Sequence, residues 1–401
     1  MPRIPPTLLR HARRIDRLLP SLLPVCRDLQ SSRNELRWLG EHAAEVVSSQ
    51  HADTGNERYL LQQYVNRRAK GEPLQYILGT EFFGDLEIKC KPGVLIPRLV
   101  NVFRFLSCCI SDLLDCRQET AASVSYLARS LVQSWKAKPP ACSINVLDLC
   151  TGTGCIPLLF HHEMFNQPDF EPNIGHITGI DISQHALNLA EENRTQCVRN
   201  AQTHQSSSAS LGLSILRDMQ FLDADILAEH SNPSSVMSRL RTLHGEKPCS
   251  SNYDILISNP PYISTSAFRR TTSASVRKYE PKLALVPPLP DPSDVQVTED
   301  DGDLFYPKLF DLAIKMDTKV VLFEVADMEQ AIRVADLAGD DWEVVEIWRD
   351  DPGVDGGEVE SMNVGDGENR RRVEVKGVGN GRSVVACRGK GSSWLAKGAC
   401  K

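Results

Sequence analysis

Apolar and polar positions change rhythm several times along the chain, and each change predicts a different element. From residue 31 to residue 70, Leu36, Leu39, Ala43, Val46, Val47, Tyr59, Leu60, Leu61, Tyr64 and Val65 recur near helical spacing, which predicts a small helical bundle. Glycines and alternating apolar residues then run from Gly71 through Phe82, Leu86, Ile88 and Val94, as a β-hairpin connector would. Further on, short apolar runs around residues 144–149, 176–181, 221–227, 253–258 and 319–325 read as buried strands. Helical patterns over 184–190 and 328–337 lie between or after them, and residues 342–348 and 383–387 read as two last antiparallel strands. Strands alternating with helices predict an α/β fold with a largely parallel sheet. Residues 194–214 read as a helix end plus a loop, 286–300 as an enlarged surface loop, and the Gly- and charge-rich span 350–382 as disordered.

Composition narrows this picture. A chain of 401 residues buries a sizeable core and suggests two or three domains. The net charge of -7 offers no broad attraction to nucleic acid. Twelve cysteines are scattered with neither disulfide nor zinc spacing, so reduced thiols and no metal are expected. No apolar run approaches the roughly 20 residues of a membrane-spanning helix. Arg3, Arg10, Arg13 and Arg14 precede any acidic residue, as in a mitochondrial transit segment. The same stretch also fits a first domain helix, with Leu8, Leu9, Ile15, Leu18 and Leu19 on its core face. The mitochondrial matrix is favoured over the cytoplasm.

Candidate chemistry sits where the apolar runs end. After the strand that carries Asp148 comes Cys150-Thr151-Gly152-Thr153-Gly154, then a second apolar run beginning at Cys155. Glycines at 152 and 154 let a backbone approach a ligand without Cβ atoms, and Asp148 can accept a hydrogen bond from a cationic amine. A glycine pair alone also fits an ordinary βα turn. Asp181 ends the next strand, where open α/β sheets bind ribose hydroxyls, and Ile182 follows it. Asp223 and Asp225 follow on the next apolar run and both fit solvated loop positions; that one of them stands near a base ring is only what the family resemblance described below implies. Ile255-Leu256-Ile257-Ser258 breaks into Asn259-Pro260-Pro261-Tyr262. Two prolines fix two φ angles and remove two N–H donors, so the corner is stiff and rich in free acceptors beside an aromatic face. A proline-rich turn with a capping Asn is the plain alternative.

These blocks together resemble the HemK-type protein-(glutamine N5) methyltransferases, which modify peptide chain release factors, and specifically a fungal, mitochondrial-type member. Gly71, Glu72, Pro73, Tyr76, Gly79 and the run from Leu95 to Arg98 match the family's connector, and Tyr279-Glu280-Pro281 and Asp301-Gly302-Asp303 match later blocks. After Arg98 the expected Pro-Glu-Thr-Glu is replaced by Leu99-Val100-Asn101-Val102, yet Gln118-Glu119-Thr120-Ala121 restores most of it, so residues 99–117 read as an insertion or retained intron. The resemblance implies a Rossmann-like class I S-adenosylmethionine methyltransferase sheet, preceded by a small N-terminal helical domain and a β-hairpin connector. It implies a substrate-recognition domain over 1–80, the connector over 81–98, a methyltransferase domain over 118–390 and a tail over 391–401. The implied cofactor is S-adenosylmethionine, held by Asp148, Cys150, Thr151, Gly152, Thr153, Gly154, Asp181, Ile182, Asp225, Ile226 and Asn259. Ile226 stands where relatives carry a ring-stacking aromatic, so weaker stacking is expected there. Asn259, Pro260, Pro261 and Tyr262 are implied to bind the substrate amide, with Asn259, Pro260 and Tyr262 acting in catalysis. The implied substrate is a glutamine in the Gly-Gly-Gln loop of a release factor, and the enzyme is expected to be a monomer without direct nucleic-acid or membrane contact. Three rivals share parts of the pattern: an amino-methylating enzyme acting on adenine in nucleic acid, an inactive cofactor-binding homologue, and an NAD-dependent oxidoreductase whose dinucleotide glycine spacing is missing here.

Overall fold

Each strand sends successive side chains to opposite faces, and here both faces of the main sheet are covered by helices. The structure is a computed structural model that describes residues 4–49, 54–97, 119–203, 210–245, 252–288, 301–354, 360–365 and 370–395. In chain order its elements begin with α1 (Pro6–Ile15), α2 (Leu19–Cys26), α3 (Leu29–Ser49), α4 (Thr54–Ala69) and α5 (Leu74–Leu78), followed by β1 (Thr80–Phe83) and β2 (Leu86–Lys89). Then come α6 (Glu119–Ala137), β3 (Ile144–Leu149), α7 (Cys155–Phe165), β4 (Ile174–Asp181), α8 (Gln184–Thr203), α9 (Ser210–Asp218), β5 (Gln220–Asp223), α10 (Val236–His244) and β6 (Ile255–Ser258). The last group is α11 (Thr265–Arg270), α12 (Ala274–Tyr279), α13 (Tyr306–Lys315), β7 (Val320–Glu324), α14 (Met328–Leu337), β8 (Val344–Asp351), β9 (Glu360–Val364), β10 (Arg371–Lys376), β11 (Val378–Cys387) and α15 (Lys390–Leu395).

Two units emerge. The first joins residues 1–81 with 90–96 and 271–281. Its bundle follows the predicted periodicity: Leu39, Ala43 and Val47 lie on one face of α3 and are buried, as are Tyr64 and Val65 of α4. Arg68 forms a two-armed ion pair with Glu35, at 2.7 and 2.9 Å, that locks α4 to α3. The bundle starts earlier than residue 31, because α1 turns Ala12 into a cluster with Leu19 and Leu23 while Arg10, Arg13 and Arg14 stay exposed. Two distant stretches fasten to the bundle's end: Tyr76 donates to the carbonyl of Val94 at 2.6 Å, and Ser275 donates to that of Gly71 at 2.6 Å.

The second unit joins residues 82–89, 97–270 and 282–401 around a sheet in the order β5-β4-β3-β6-β7-β11-β8-β10-β9. Strands β3 to β7 are mutually parallel, and β11 runs antiparallel to both β7 and β8. Alternation sorts the core: Leu147, Leu149, Leu256, Val321 and Phe323 face one cluster, while Val146, Ile255, Ile257, Val320 and Leu322 face the other. Helix α6 lays Val124, Leu127, Ala128, Leu131 and Trp135 along one stripe of the second cluster, all fully buried.

Three expectations are corrected here. Within 350–382, read from the sequence as disordered, the described residues include β9 and β10, which extend the sheet. Val373 and Val375 alternate with charged neighbours and are buried, and Lys376 pairs with Glu346 at 2.6 Å, so charge-rich composition hid a period of two. Residues 194–203 close α8 as the predicted helix end, residues 204–209 lie outside the described residues, and residues 210–214 open α9 where a loop was expected. The stretch assigned to a tail opens with α15, whose Trp394 sits edge-on to Trp135 with ring centroids 5.5 Å apart. The insertion at 99–117 and most of the loop at 286–300 lie outside the described residues.

Candidate active site

Parallel strands β3, β4, β5, β6 and β7 all end on one edge, and the polar residues of the site gather there. Thr151 donates its backbone N–H to the carbonyl of Ile180 at 2.9 Å, which folds the glycine loop back over β4. The N–H of Gly152 then meets Oδ2 of Asp181 at 2.9 Å, and Ser183 donates to Oδ1 at 2.9 Å. Cys150 adopts φ 62, a left-handed conformation that costs a non-glycine residue on the order of 1 kcal/mol. Gly152 is left-handed too, and a Cβ there would meet nothing within 4 Å, which leaves an open cradle of backbone. Gly154, at φ 75, is constrained differently, because a Cβ would stand 3.0 Å from both Ala190 and Phe221. Gly154→Ala should therefore lower unfolding stability by about 1–3 kcal/mol, read as a fall in thermal midpoint, and an unchanged midpoint would contradict this packing.

Charge at this edge is unusual. Asp148 is fully buried, and among the described residues neither of its carboxylate oxygens nor the Thr151 hydroxyl oxygen has a hydrogen-bond partner. Burial pushes the Asp148 carboxyl well above its ordinary range, and the nearby Asp181 charge adds to it. Burial also raises Asp181, against the N–H groups of Ser183, Gly152 and Ile182 that favour its charge. Cys155 is pushed up to about 12 and Cys150 well above its usual value, both chiefly by burial, so the loop thiols stay protonated and are poor nucleophiles. A buried carboxyl without a partner, beside a loop of open backbone, is suited to a cationic amine.

The other candidates are placed around this pair. Ile182 is 51% exposed directly after Asp181. Asp225 is half-buried, accepts from the N–H of Leu227 at 2.9 Å and adds to the field on Cys150, whereas Asp223 is exposed and faces Arg239 at 3.5 Å. Ile226 packs into the core with Ala224, Val236, Met237 and Leu240.

On the neighbouring strand, register pairs Leu149 with Ser258, and the Ser258 hydroxyl donates to the Leu149 carbonyl at 2.8 Å. Cys150 and Asn259 therefore leave the sheet side by side, about 4.8 Å apart as adjacent strands are. Asn259 is half-exposed, and its side chain has no hydrogen-bond partner among the described residues. Pro260 and Pro261 are buried behind it. Tyr262 is held at both ends: its hydroxyl donates to Glu324 Oε1 at 3.0 Å and its carbonyl accepts from Gln330 at 3.2 Å. The Asp-Gly block explains part of that grip. Gln330 also donates to Asp303 at 2.8 Å, Asp303 pairs with Arg333 at 2.6 Å, and a Cβ on Gly302 would stand 2.6 Å from the Tyr262 carbonyl. Sequence reading passed over Glu324, Gln330 and Arg333 as strand and helix residues. A signal for Glu324 was present, since an acid ends β7 as acids end β4 and β5.

Sheet order, strand-end acids and an open glycine cradle define a Rossmann-like class I methyltransferase, with an acceptor corner suited to an amino group. Residues 27–79 match the PrmC N-terminal domain family. The chain is 34% identical to the Saccharomyces cerevisiae mitochondrial MRF1 N(5)-glutamine methyltransferase MTQ1, over 71% of this chain and 68% of that protein. It is 29% identical to a Schizosaccharomyces pombe protein named as an MRF1 mitochondrial N(5)-glutamine methyltransferase, over 80% and 85% of the two chains. A release factor glutamine methyltransferase of Thermodesulfovibrio yellowstonii shares 26% identity over 75% and 81%. This chain belongs to the release factor glutamine methyltransferase family. It is an enzyme whose cofactor is S-adenosylmethionine, and the unpartnered Asp148 beside the Gly152 cradle fits that cofactor's cationic amine. Among the described residues no helix is long and apolar enough to cross a membrane, and no cluster of metal-ligating side chains is present.

Proposed function

We propose that this chain transfers a methyl group from S-adenosylmethionine to the side-chain nitrogen of a glutamine in a mitochondrial peptide chain release factor, within that factor's Gly-Gly-Gln loop. The observation that carries this reading is Asn259: a half-exposed amide with no hydrogen-bond partner among the described residues, at the carboxyl end of β6 beside the Gly152 loop. An amide nitrogen is a poor nucleophile because its lone pair is delocalised, so orientation has to supply much of the rate. The Asn259 side-chain oxygen and the Pro260 carbonyl accept the two N–H groups of the substrate amide, and Tyr262 packs against its plane. Bound S-adenosylmethionine supplies an electrophilic methyl carbon. Asp148, the loop from Cys150 to Gly154, Asp181, Ile182, Asp225 and Ile226 hold that cofactor, with Asn259 at its border. As positive charge grows on the nitrogen, the two acceptor oxygens bind it more tightly than they bind the neutral amide. The nitrogen needs no base before transfer: the cofactor's S–C bond would break as the N–C bond forms, its sulfur leaving as a neutral thioether, and the methylated nitrogen would then give its extra proton to water.

Relatives named as mitochondrial MRF1 N(5)-glutamine methyltransferases support a mitochondrial site of action, and relatives named as release factor glutamine methyltransferases support a protein substrate over a nucleic-acid one. The acidic chain agrees with that choice, since it lacks the net positive charge that phosphate backbones attract. Incubation with methyl-labelled cofactor, a mitochondrial release factor, DNA and RNA tests the reading. Label is expected on the release factor alone; label on nucleic acid with none on the protein would overturn it.

A further inference from the structure

We propose that Glu324 is a positioning residue that sets the orientation of Tyr262 and couples it to the first turn of α6. The inference rests on the acceptor role given above to Asn259, Pro260 and Tyr262. Register pairs Ser258 with Phe323, so Asn259 and Glu324 end adjacent parallel strands together. The Glu324 residue is only 9% exposed. Its two carboxylate oxygens go to different elements: Oε1 accepts from the Tyr262 hydroxyl at 3.0 Å, and Oε2 accepts from the Thr120 hydroxyl of α6. Its backbone carbonyl accepts from the Tyr306 hydroxyl at 2.8 Å, which fixes the strand end itself. Just beyond, Ser123 of α6 meets Ser383 of β11 at 3.0 Å, and Ser383 is the register partner of Glu324.

A buried carboxylate is a costly way to fill a corner between a strand and a helix, and an apolar residue of similar volume would serve stability as well or better. What the carboxylate adds is direction. Two hydroxyl donors on one carboxylate, one from Tyr262 and one from Thr120, fix where the Tyr262 phenol oxygen stands above the sheet edge. Thr120 therefore acts on the acceptor corner through Glu324 and need not touch substrate. An error of about 1 Å at a reacting group can cost on the order of 10²-fold in rate.

The test uses the full chain, a mitochondrial release factor and labelled cofactor, with four variants: Glu324→Ala, Glu324→Gln, Tyr262→Phe and the double variant Tyr262→Phe with Glu324→Ala. Glu324→Ala should lower kcat on the order of 10²-fold while KM and cofactor Kd change less than about threefold. Glu324→Gln should recover much of that loss, because its amide oxygen still accepts one hydroxyl and its amide nitrogen donates to the other. In the Tyr262→Phe background, removing Glu324 should add less than about threefold, since the residue acts through the phenol. Additive losses in the double variant, or equal losses in Glu324→Gln and Glu324→Ala, would overturn the proposal. Ring carbon resonances of labelled tyrosine, with Tyr262 identified by its absence in Tyr262→Phe, give a readout that needs no substrate. The Tyr262 signal should move in Glu324→Ala and in Thr120→Ala, and a signal unmoved in both would overturn the strut. Should the wild-type chain methylate no release factor, the functional reading fails, and the tyrosine resonance still decides the strut.

Discussion

Asn259→Ala should abolish glutamine methylation while leaving S-adenosylmethionine binding within about threefold of wild type. Removing one preorganised charge-stabilising group typically costs 10²–10³-fold in kcat. Here the loss should lie at or beyond the upper end of that range, because the same oxygen also orients the nucleophile. Three features make the substitution a clean test. Ser258, not Asn259, ties β6 to β3, through its hydroxyl to the Leu149 carbonyl. The two prolines that follow keep the corner stiff whatever side chain precedes them. And the Asn259 amide has no hydrogen-bond partner among the described residues, so its removal orphans none of them. Folding should be nearly unaffected, which a matching thermal midpoint would establish. Cofactor affinity measured by calorimetry beside single-turnover methyl transfer gives both halves of the result. Turnover near the wild-type rate would remove Asn259 from the mechanism; a lost cofactor affinity would move it from the amide to the cofactor.

Asp148→Asn should act in the opposite sense on binding and on stability. With the buried carboxylate gone, the cofactor's cationic amine loses its partner, and Kd for S-adenosylmethionine should rise on the order of 10²-fold, as truncating a buried charge pair does. Without cofactor, the variant should be at least as stable as wild type, because Asp148 has no hydrogen-bond partner there to lose. The sign with pH follows from burial. A carboxyl whose folded value is raised above its ordinary 3.8 stabilises the fold below that value, and the contribution is lost as pH rises through the folded value. Cofactor-free wild type should therefore fall behind Asp148→Asn progressively from about pH 4 upward. Cofactor binding to wild type should release a proton and weaken as pH falls through the same window. Denaturant midpoints for both proteins across that range check the first expectation, and binding in buffers of different ionisation enthalpy checks the second. A stability gap constant with pH would mean that Asp148 is not the perturbed group.

Much of this arrangement was legible in the residues, for reasons that differ element by element. Buried parallel strands announce themselves as short β-branched runs, so β3, β4, β6 and β7 lie where the apolar pattern put them. The glycine cradle and the Asn259 corner were legible because backbone chemistry demanded those residue types: left-handed φ at Gly152 and Gly154, and missing N–H groups at Pro260 and Pro261. Strands β9 and β10 were not, because Arg371, Arg372, Glu374 and Lys376 dominate their composition while only Val373, Val375 and Val364 carry the buried face. Local composition records solubility; pairing with β8 is a long-range event that it does not encode. The surroundings of Asp223 and Asp225 needed three dimensions, since only the fold shows Asp223 exposed beside Arg239 and Asp225 half-buried within electrostatic reach of Cys150. Glu324 was overlooked for a related reason. Its partners Tyr262 and Thr120 are 62 and 204 residues away in sequence, and no spacing rule joins them.

The central claim is that the corner from Asn259 to Tyr262 holds a glutamine side chain for methylation. Fragmentation mass spectrometry of a mitochondrial release factor, after incubation with this protein and S-adenosylmethionine, tests it most directly. A single added methyl on the side-chain nitrogen of the Gly-Gly-Gln glutamine, absent when Asn259→Ala replaces the wild-type chain, is the predicted result. A methyl group on any other residue, or on that glutamine in equal yield with the Asn259→Ala variant, would contradict it.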